Sequence, residues 1–262
     1  MSYETLNLSM AGTQATVTLK RPEVRNAFNE IMLAELTTVF AALSEHETVR
    51  VVVLAAEGKA FCAGADLNWM QRMAGFSAAE NRADAACLAA MLSTIYRCRK
   101  PVIARVSGDV YAGGVGLVAA CDIVVALDNA RFCLSEARLG LIPATIAPYV
   151  IRALGEQASR RYFLSAEVFD CATAWRLGLV SEIAADVTQL DACVQQLSDT
   201  LSANGPAAVR ACKQLVQDIA GQPLDDALMA DTVERIAQVR SSAEGREGVA
   251  SFLGKRVPRW RV

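Results

Sequence analysis

Two apolar runs constrain the fold more than anything else in the chain. Residues 49–56 are rich in β-branched side chains, and residues 102–106 (V-I-A-R-V) read as another buried strand. A strand that is apolar without alternation is covered on both faces, as in a sheet flanked by helices. Residues 15–19 (A-T-V-T-L) alternate instead, like a half-buried strand. Helical patterns stand between these runs. Asn29 is placed to cap a helix to about Leu43, with Leu33, Leu36, Phe40 and Leu43 on one face. S-A-A-E at residues 77–80 is a capping-box pattern opening a helix toward Cys98. Alternation of strand and helix predicts an α/β core.

The texture changes after Pro148. Helical patterns follow at residues 158–164, 172–177, 190–203, 207–220 and 224–240, and residues 241–244 are placed to cap a last helix through Leu253. The expected organisation is an α/β core over residues 1–200 and a helical part over residues 201–262, in a chain of 262 residues. No repeat of 20–50 residues and no low-complexity linker interrupts it.

Charge and composition narrow the function. Net charge is −2 and no Lys/Arg run is long, so nucleic acid is not an expected partner. No apolar run reaches the roughly 18 residues of a membrane span, and the first residues, M-S-Y-E-T-L-N, lack the basic flank and apolar core of a signal peptide. None of the eight cysteines forms C-x-x-C, which reads as reduced thiols and a cytoplasmic setting. The single histidine, His46, lies between two glutamates at the expected end of a helix and is expected at the surface. A Ser-His-Asp triad, a Cys-His pair and a multi-histidine metal site therefore have little to draw on, and no metal is expected. Carboxylates and backbone dipoles are left to carry any chemistry.

Both are present. Gly113-Gly114 follows the strand at 102–106 and leads into a buried helix at residues 115–120. Glycines entering a helix leave backbone N–H groups open to an oxygen that gains negative charge. A second small-residue turn, A-G-A-D-L at residues 63–67, has the same character. Glu136 is the isolated acid of a mostly apolar segment, residues 134–141, and burial there raises its proton affinity.

Five segments together closely resemble the crotonase family of enoyl-CoA hydratases and isomerases: R-P-E-V-R-N-A-F (21–28), A-F-C-A-G-A-D-L (60–67), A-G-G-V-G-L-V-A-A-C-D (112–122), S-E-A-R-L-G-L-I-P (135–143) and E-G-V-A-S-F-L-G-K-R (247–256). The resemblance covers nearly the whole chain. It implies a spiral of ββα units and a C-terminal helical part that builds trimers, often paired into hexamers. It implies an acyl-CoA thioester as substrate, with coenzyme A entering as part of that substrate and no separate cofactor. It implies that the N–H groups of Ala65 and Gly113 form the oxyanion hole, with Glu136 as acid/base. Arg25, Ala27, Ala63, Gly64, Asp66 and Leu67 map to the CoA site, Gly114 and Gly116 to the glycine turn, and Phe252 and Lys255 to a last helix that meets the CoA of a neighbouring subunit. Asp66 and Asp122 read more naturally as residues that hold loops than as reacting groups.

One departure bears on the reaction. Hydratases of this family usually carry a second glutamate after the glycine turn, in patterns such as G-G-G-C-E-L, and that position is Gly116 here. The usual glycine-rich tail after I-P is replaced by A-T-I-A-P-Y at residues 144–149. One carboxylate can hydrate a double bond by taking a proton from water and passing it on; it can also shift the double bond. Residues 65–73 and 135–151 resemble bacterial methylglutaconyl-CoA hydratases of leucine breakdown. On that resemblance Gly116 would make room for a substrate carboxylate, Thr145 and Tyr149 would narrow the acyl end, and Arg72, Arg82 or Arg138 would balance the charge. An isomerase, a general enoyl-CoA hydratase and a CoA-binding module without activity remain the other readings.

Overall fold

The computed structural model describes residues 3–261. The chain opens with a hairpin, β1 (Leu6–Ala11) and β2 (Gln14–Leu19), turning at Gly12 with φ 57°. Helix α1 (Glu30–Glu45) starts where expected, because Asn29 accepts a hydrogen bond from the Met32 N–H. Its buried residues include Leu33, Leu36, Phe40 and Leu43.

Three strand pairs follow, each sending its first strand to one sheet and its second to another. They are β3 (Val51–Ala56) and β4 (Ala60–Cys62), then β5 (Val102–Val106) and β6 (Asp109–Tyr111), then β7 (Ile123–Leu127) and β8 (Arg131–Cys133). Helices α2 (Leu67–Met73) and α3 (Ala78–Tyr96) follow the first pair, and α4 (Gly113–Ala119) follows the second. This is the expected ββα repetition. The third pair is followed by a short 3-10 turn at Glu136–Leu139 and helix α5 (Ala147–Ser165). Strand β9 (Val168–Asp170), α6 (Cys171–Arg176) and β10 (Glu182–Ala184) complete the sheets. The larger sheet has the order β1-β2-β3-β5-β7-β10 and is parallel from β2 onward; the smaller is β4-β6-β8-β9, with only β8-β9 antiparallel. All six residues of β3 are buried, as its unbroken apolar pattern requires.

Helix α5 begins well before the expected residue 158. Pro148 lies in its first turn, where a missing N–H costs nothing, and it starts the helix instead of breaking it. Gly155, at φ 77°, interrupts the helix midway. Helix α7 (Val187–Ala203) packs Leu190 and Val194 onto the larger sheet and runs through residue 200. Helices α8 (Pro206–Ile219), α9 (Asp226–Ser241) and α10 (Ala243–Leu253) follow, the last capped by Ser242. Neither α8 nor α9 has a fully buried residue in the single chain. Lys213 ties α8 to the core through Asp122, 2.7 Å away, and Asp122 also accepts from the Val102 N–H. That is the loop-holding role expected of this aspartate. No helix among the described residues is long and apolar enough to cross a membrane.

Candidate active site

The smaller sheet brings three segments together. Strands β4, β6 and β8 are parallel neighbours, so the residues that leave their C-terminal ends lie side by side. These are Ala63 to Asp66, Ala112 with Gly113, and Leu134 to Glu136. The Ala112 N–H donates to the Cys133 carbonyl at 2.7 Å, extending the ladder past the strand ends. A Cβ placed on Gly64 (φ 88°) would lie 2.9 Å from the Ala112 Cβ and 3.6 Å from the Gly113 nitrogen, so the two small-residue turns are in contact. Any side chain at Gly64 would be strained by both conformation and space.

Ala65 and Gly113 present free donors for different reasons. Phe28 and Ala65 form a parallel bridge in which Phe28 gives its N–H to Gly64 (2.6 Å) and takes one from Asp66 (2.8 Å). In such a bridge the opposite residue turns its own N–H away, and the Ala65 N–H has no acceptor among the described residues. Gly113 is the first residue of α4, whose leading N–H groups have no intrahelical partner. Its neighbour Ala112 holds φ 46° and ψ −121°, a conformation rarely adopted by a residue with a side chain. The strained residue thus immediately precedes the donor. Phe28, missed by the sequence reading, joins the two turns. Its backbone fixes the Ala65 segment, and its ring lies where a Cβ on Gly113 would be 2.9 Å from Cε2.

The first turn is braced by residues that the sequence reading treated lightly. Arg21, given no role of its own in the 21–28 segment, bonds the Ala27 carbonyl (2.6 Å) and Asp66 (2.8 Å). Asp66 also caps α2 through the Asn68 and Trp69 N–H groups. Burial pushes its carboxyl up, but the Arg21 hydrogen bond and the two backbone donors outweigh this and hold it below the usual range. Asp66 therefore holds the loop, as expected. Asn26 is fully buried at φ 53°, receives the Arg21 N–H and donates to the Glu57 and Ala60 carbonyls. A short amide tolerates that conformation, which is the one signal the sequence offered. Arg25, also at positive φ, accepts from the Ala63 N–H and lines a cleft of about 640 Å³ with Lys59 and Tyr111.

Glu136 opens the 3-10 turn after β8. Its Oε2 atom is buried without a hydrogen-bond partner among the described residues, and burial raises its pKa. The apolar residues after it are not the buried segment expected: Leu139, Leu141 and Ile142 are 61%, 54% and 78% exposed. Gly140, left-handed at φ 70°, closes the short turn and leaves them at the surface.

Gly116 departs from expectation. It is buried in α4, but it does not vacate room. A Cβ there would lie 2.2 Å from Cγ2 of Ile146, which precedes α5 and is 1% exposed. Gly114 packs as tightly against Cys62, whose carbonyl oxygen would be 2.6 Å from an added Cβ. Tyr149, expected at the acyl end, packs edge-on against Tyr96 with centroids 5.4 Å apart and lines a cavity with Arg97, Arg152 and Gln214 of α8. Of the three arginines considered as charge partners, Arg72 pairs with Glu30 and Arg138 donates to the Ala166 carbonyl, whereas Arg82 has no such partner among the described residues. Leu67 (81% exposed) stands open beside the Ala63 to Asp66 turn, and Phe252 (83% exposed) and Lys255 lie on the open C-terminal surface of the single chain.

Two N–H groups without acceptors and a buried carboxylate oxygen without a partner, on segments that leave neighbouring strand ends, are equipment for proton transfer next to a carbonyl. Comparison with known proteins agrees. Residues 10–262 match the family model described as enoyl-CoA hydratase/isomerase. The crystal structure of an enoyl-CoA hydratase from Shewanella pealeana superposes with a TM-score of 0.95 at 40% identity, covering 98% of this chain and 96% of that one. An enoyl-CoA hydratase of Alternaria alternata is 34% identical over 97% of this chain and 83% of its own. The 2,3-dehydroadipyl-CoA hydratase of Escherichia coli is 31% identical over 92% of each chain. With the fold, the strand-end turns and these matches in agreement, the chain belongs to the enoyl-CoA hydratase/isomerase family.

Proposed function

We propose that this protein hydrates an α,β-unsaturated acyl-CoA, and that 3-methylglutaconyl-CoA is its substrate. The thioester oxygen accepts hydrogen bonds from the Ala65 and Gly113 N–H groups. Glu136 takes a proton from water as the oxygen of that water adds to C3. Negative charge moves to the thioester oxygen, where the two fixed donors lower the barrier. Glu136 then returns the proton to C2, so one carboxylate serves both steps. The observation that carries this reading is the buried, unpartnered Oε2 of Glu136 at the same sheet edge as the two free donors.

The CoA portion runs along Arg25, Ala27, Gly64, Asp66 and Leu67, while Phe252 and Lys255 complete its site from a neighbouring subunit in a trimer or a pair of trimers. No separate cofactor takes part. The choice of a carboxylated substrate rests on the sequence resemblance of residues 65–73 and 135–151, and on a 31% identical relative named for a dicarboxylic acid thioester. The absence of a second acid at Gly116 spares such a substrate a repulsion, although Ile146 fills the space and no room is opened. Arg82, the unpaired arginine of α3, is the cation assigned to the substrate carboxylate.

A panel of 3-methylglutaconyl-CoA, crotonyl-CoA and a 3-enoyl-CoA tests this. The expected order of kcat/KM for hydration places 3-methylglutaconyl-CoA first, and Arg82→Met lowers its kcat/KM without affecting crotonyl-CoA. A preference for crotonyl-CoA makes the protein a general hydratase. Turnover of the 3-enoyl-CoA alone makes it an isomerase, a reading that the single carboxylate also supports.

A further inference from the structure

We propose that the end of the larger sheet where β3 and β5 begin holds a binding site for a compact phosphate-type anion, one that pins the C-terminal helices to the core. The active site lies where the parallel strands of the smaller sheet end. In the larger sheet, where β3 and β5 begin, the chain places Arg50 before β3 and Lys100 before β5. Arg210 of α8 faces them, and together they line a cavity of about 220 Å³ that Arg99 and Glu47 also border.

The charges there do not balance. Four cationic side chains surround the cavity and Glu47 is the one carboxylate among its lining residues. Arg99 is already paired, 2.7 Å from Glu45. The Lys100 and Arg210 side chains make no hydrogen bond or ion pair among the described residues. Arg50 reaches the Trp260 carbonyl through Nη2 at 3.4 Å, but its Nη1 is buried with no acceptor. A buried donor left unpaired, above all one on a cation, is costly. Desolvation, with Arg210 close by, also pushes the Lys100 pKa down. Like charges gathered around a small cavity with an orphaned guanidinium N–H are complementary to an anion with several acceptor oxygens. Phosphate fits that chemistry, and Arg50 offers it a forked donor.

The position gives the site a consequence. Arg50 and Lys100 belong to the core edge, whereas Arg210 and Val209 belong to the first C-terminal helix. An anion held by both sides stabilises the docking of α8 by mass action on the folded state.

The test uses the full chain with inorganic phosphate as the probe, by titration calorimetry and by thermal unfolding against chloride at matched ionic strength. Wild type is expected to bind phosphate at one site per chain and to gain melting temperature. Arg210→Met and, separately, Arg50→Met are expected to bind about tenfold more weakly, as loss of one charge-assisted hydrogen bond implies. Both should lose most of the phosphate-dependent gain while retaining hydratase activity. Arg176→Met, an exposed arginine elsewhere, controls for the general salting effect of phosphate. No calorimetric binding, or an equal phosphate response in wild type and both variants, overturns the proposal. Neither outcome touches the active-site reading, because turnover is measured separately.

Discussion

Ile146 stands where a side chain at Gly116 would have to be, 2.2 Å from the position of its Cβ. Gly116 belongs to α4 and Ile146 immediately precedes α5, and they are complementary in volume. Absence of an acid at 116 is thus tied to the branched side chain that fills the gap. Gly116→Glu alone is expected to overpack this contact, costing about 1–3 kcal/mol, and also to bury a charge. The double variant Gly116→Glu/Ile146→Ala should recover part of the melting temperature lost by the single one. Non-additivity in a thermal-unfolding cycle checks the coupling; simple additivity would show that the two positions act independently.

Glu136 has no cation beside it, and the hydrogen bond from its own backbone N–H offsets only part of the cost of burying its charge. Its pKa is raised, so the folded state binds its proton more tightly than the unfolded chain does. The contribution is complete below the unfolded pKa and is lost as pH rises through the folded value. Glu136→Gln should therefore gain stability relative to wild type as pH rises above the range where an ordinary glutamate ionises, measured as the difference in melting temperature. It should also lose turnover by roughly two orders of magnitude or more while acyl-CoA affinity stays near wild type. The wild-type kcat/KM should fall on the acid side at a pH above that of an ordinary glutamate. A variant with retained turnover would assign the proton transfers elsewhere.

Much of this site was readable in the chain, for reasons that differ by residue. Asn29 and Ser77 announce their helices because capping is local chemistry, and β3 announces itself because burial on both faces leaves no alternation to hide it. Gly113 and Glu136 stand out as small or charged residues in apolar surroundings. Ile146 does not, since nothing in an isoleucine thirty residues away shows that it meets Gly116. Strands β4, β6 and β8 have three residues each, too few to show a period, yet their parallel alignment assembles the site. Pro148 misled because proline marks both the end of one helix and the first turn of another.

Phe28 touches both donor segments, bonding Gly64 and Asp66 with its backbone and lying under Gly113 with its ring. Phe28→Leu keeps the backbone bonds and removes part of the ring support. Misplacement of a reacting geometry by about 1 Å costs on the order of a hundredfold in rate, so kcat should fall far more than KM rises. The carbonyl stretch of a bound thioester should move toward its value in free solution, showing weaker polarisation by the two donors. Unchanged carbonyl frequency in a variant with lowered stability would confine Phe28 to packing.

Phe252 and Lys255 lie at the end of α10, with Phe252 83% exposed and Leu253 beside it 74% exposed. Large apolar residues exposed together mark a surface that meets something else. In the proposed assembly that surface meets the neighbouring subunit and its bound CoA. The two residues separate the two roles. Phe252→Asp places a charge on the apolar contact and should lower the assembled mass seen by light scattering, with CoA affinity falling alongside. Lys255→Ala removes only a cation and should leave the mass unchanged while weakening binding of CoA more than of its dephosphorylated form. Within the chain, Trp260 anchors the tail by donating to the Ala203 carbonyl at 3.2 Å, and Glu247 holds Arg256 at 2.7 Å, so neither substitution removes the contacts that fold the tail. If Phe252→Asp keeps the wild-type mass and both variants keep wild-type CoA affinity, this end of α10 is ordinary surface, and the CoA site is complete within one chain.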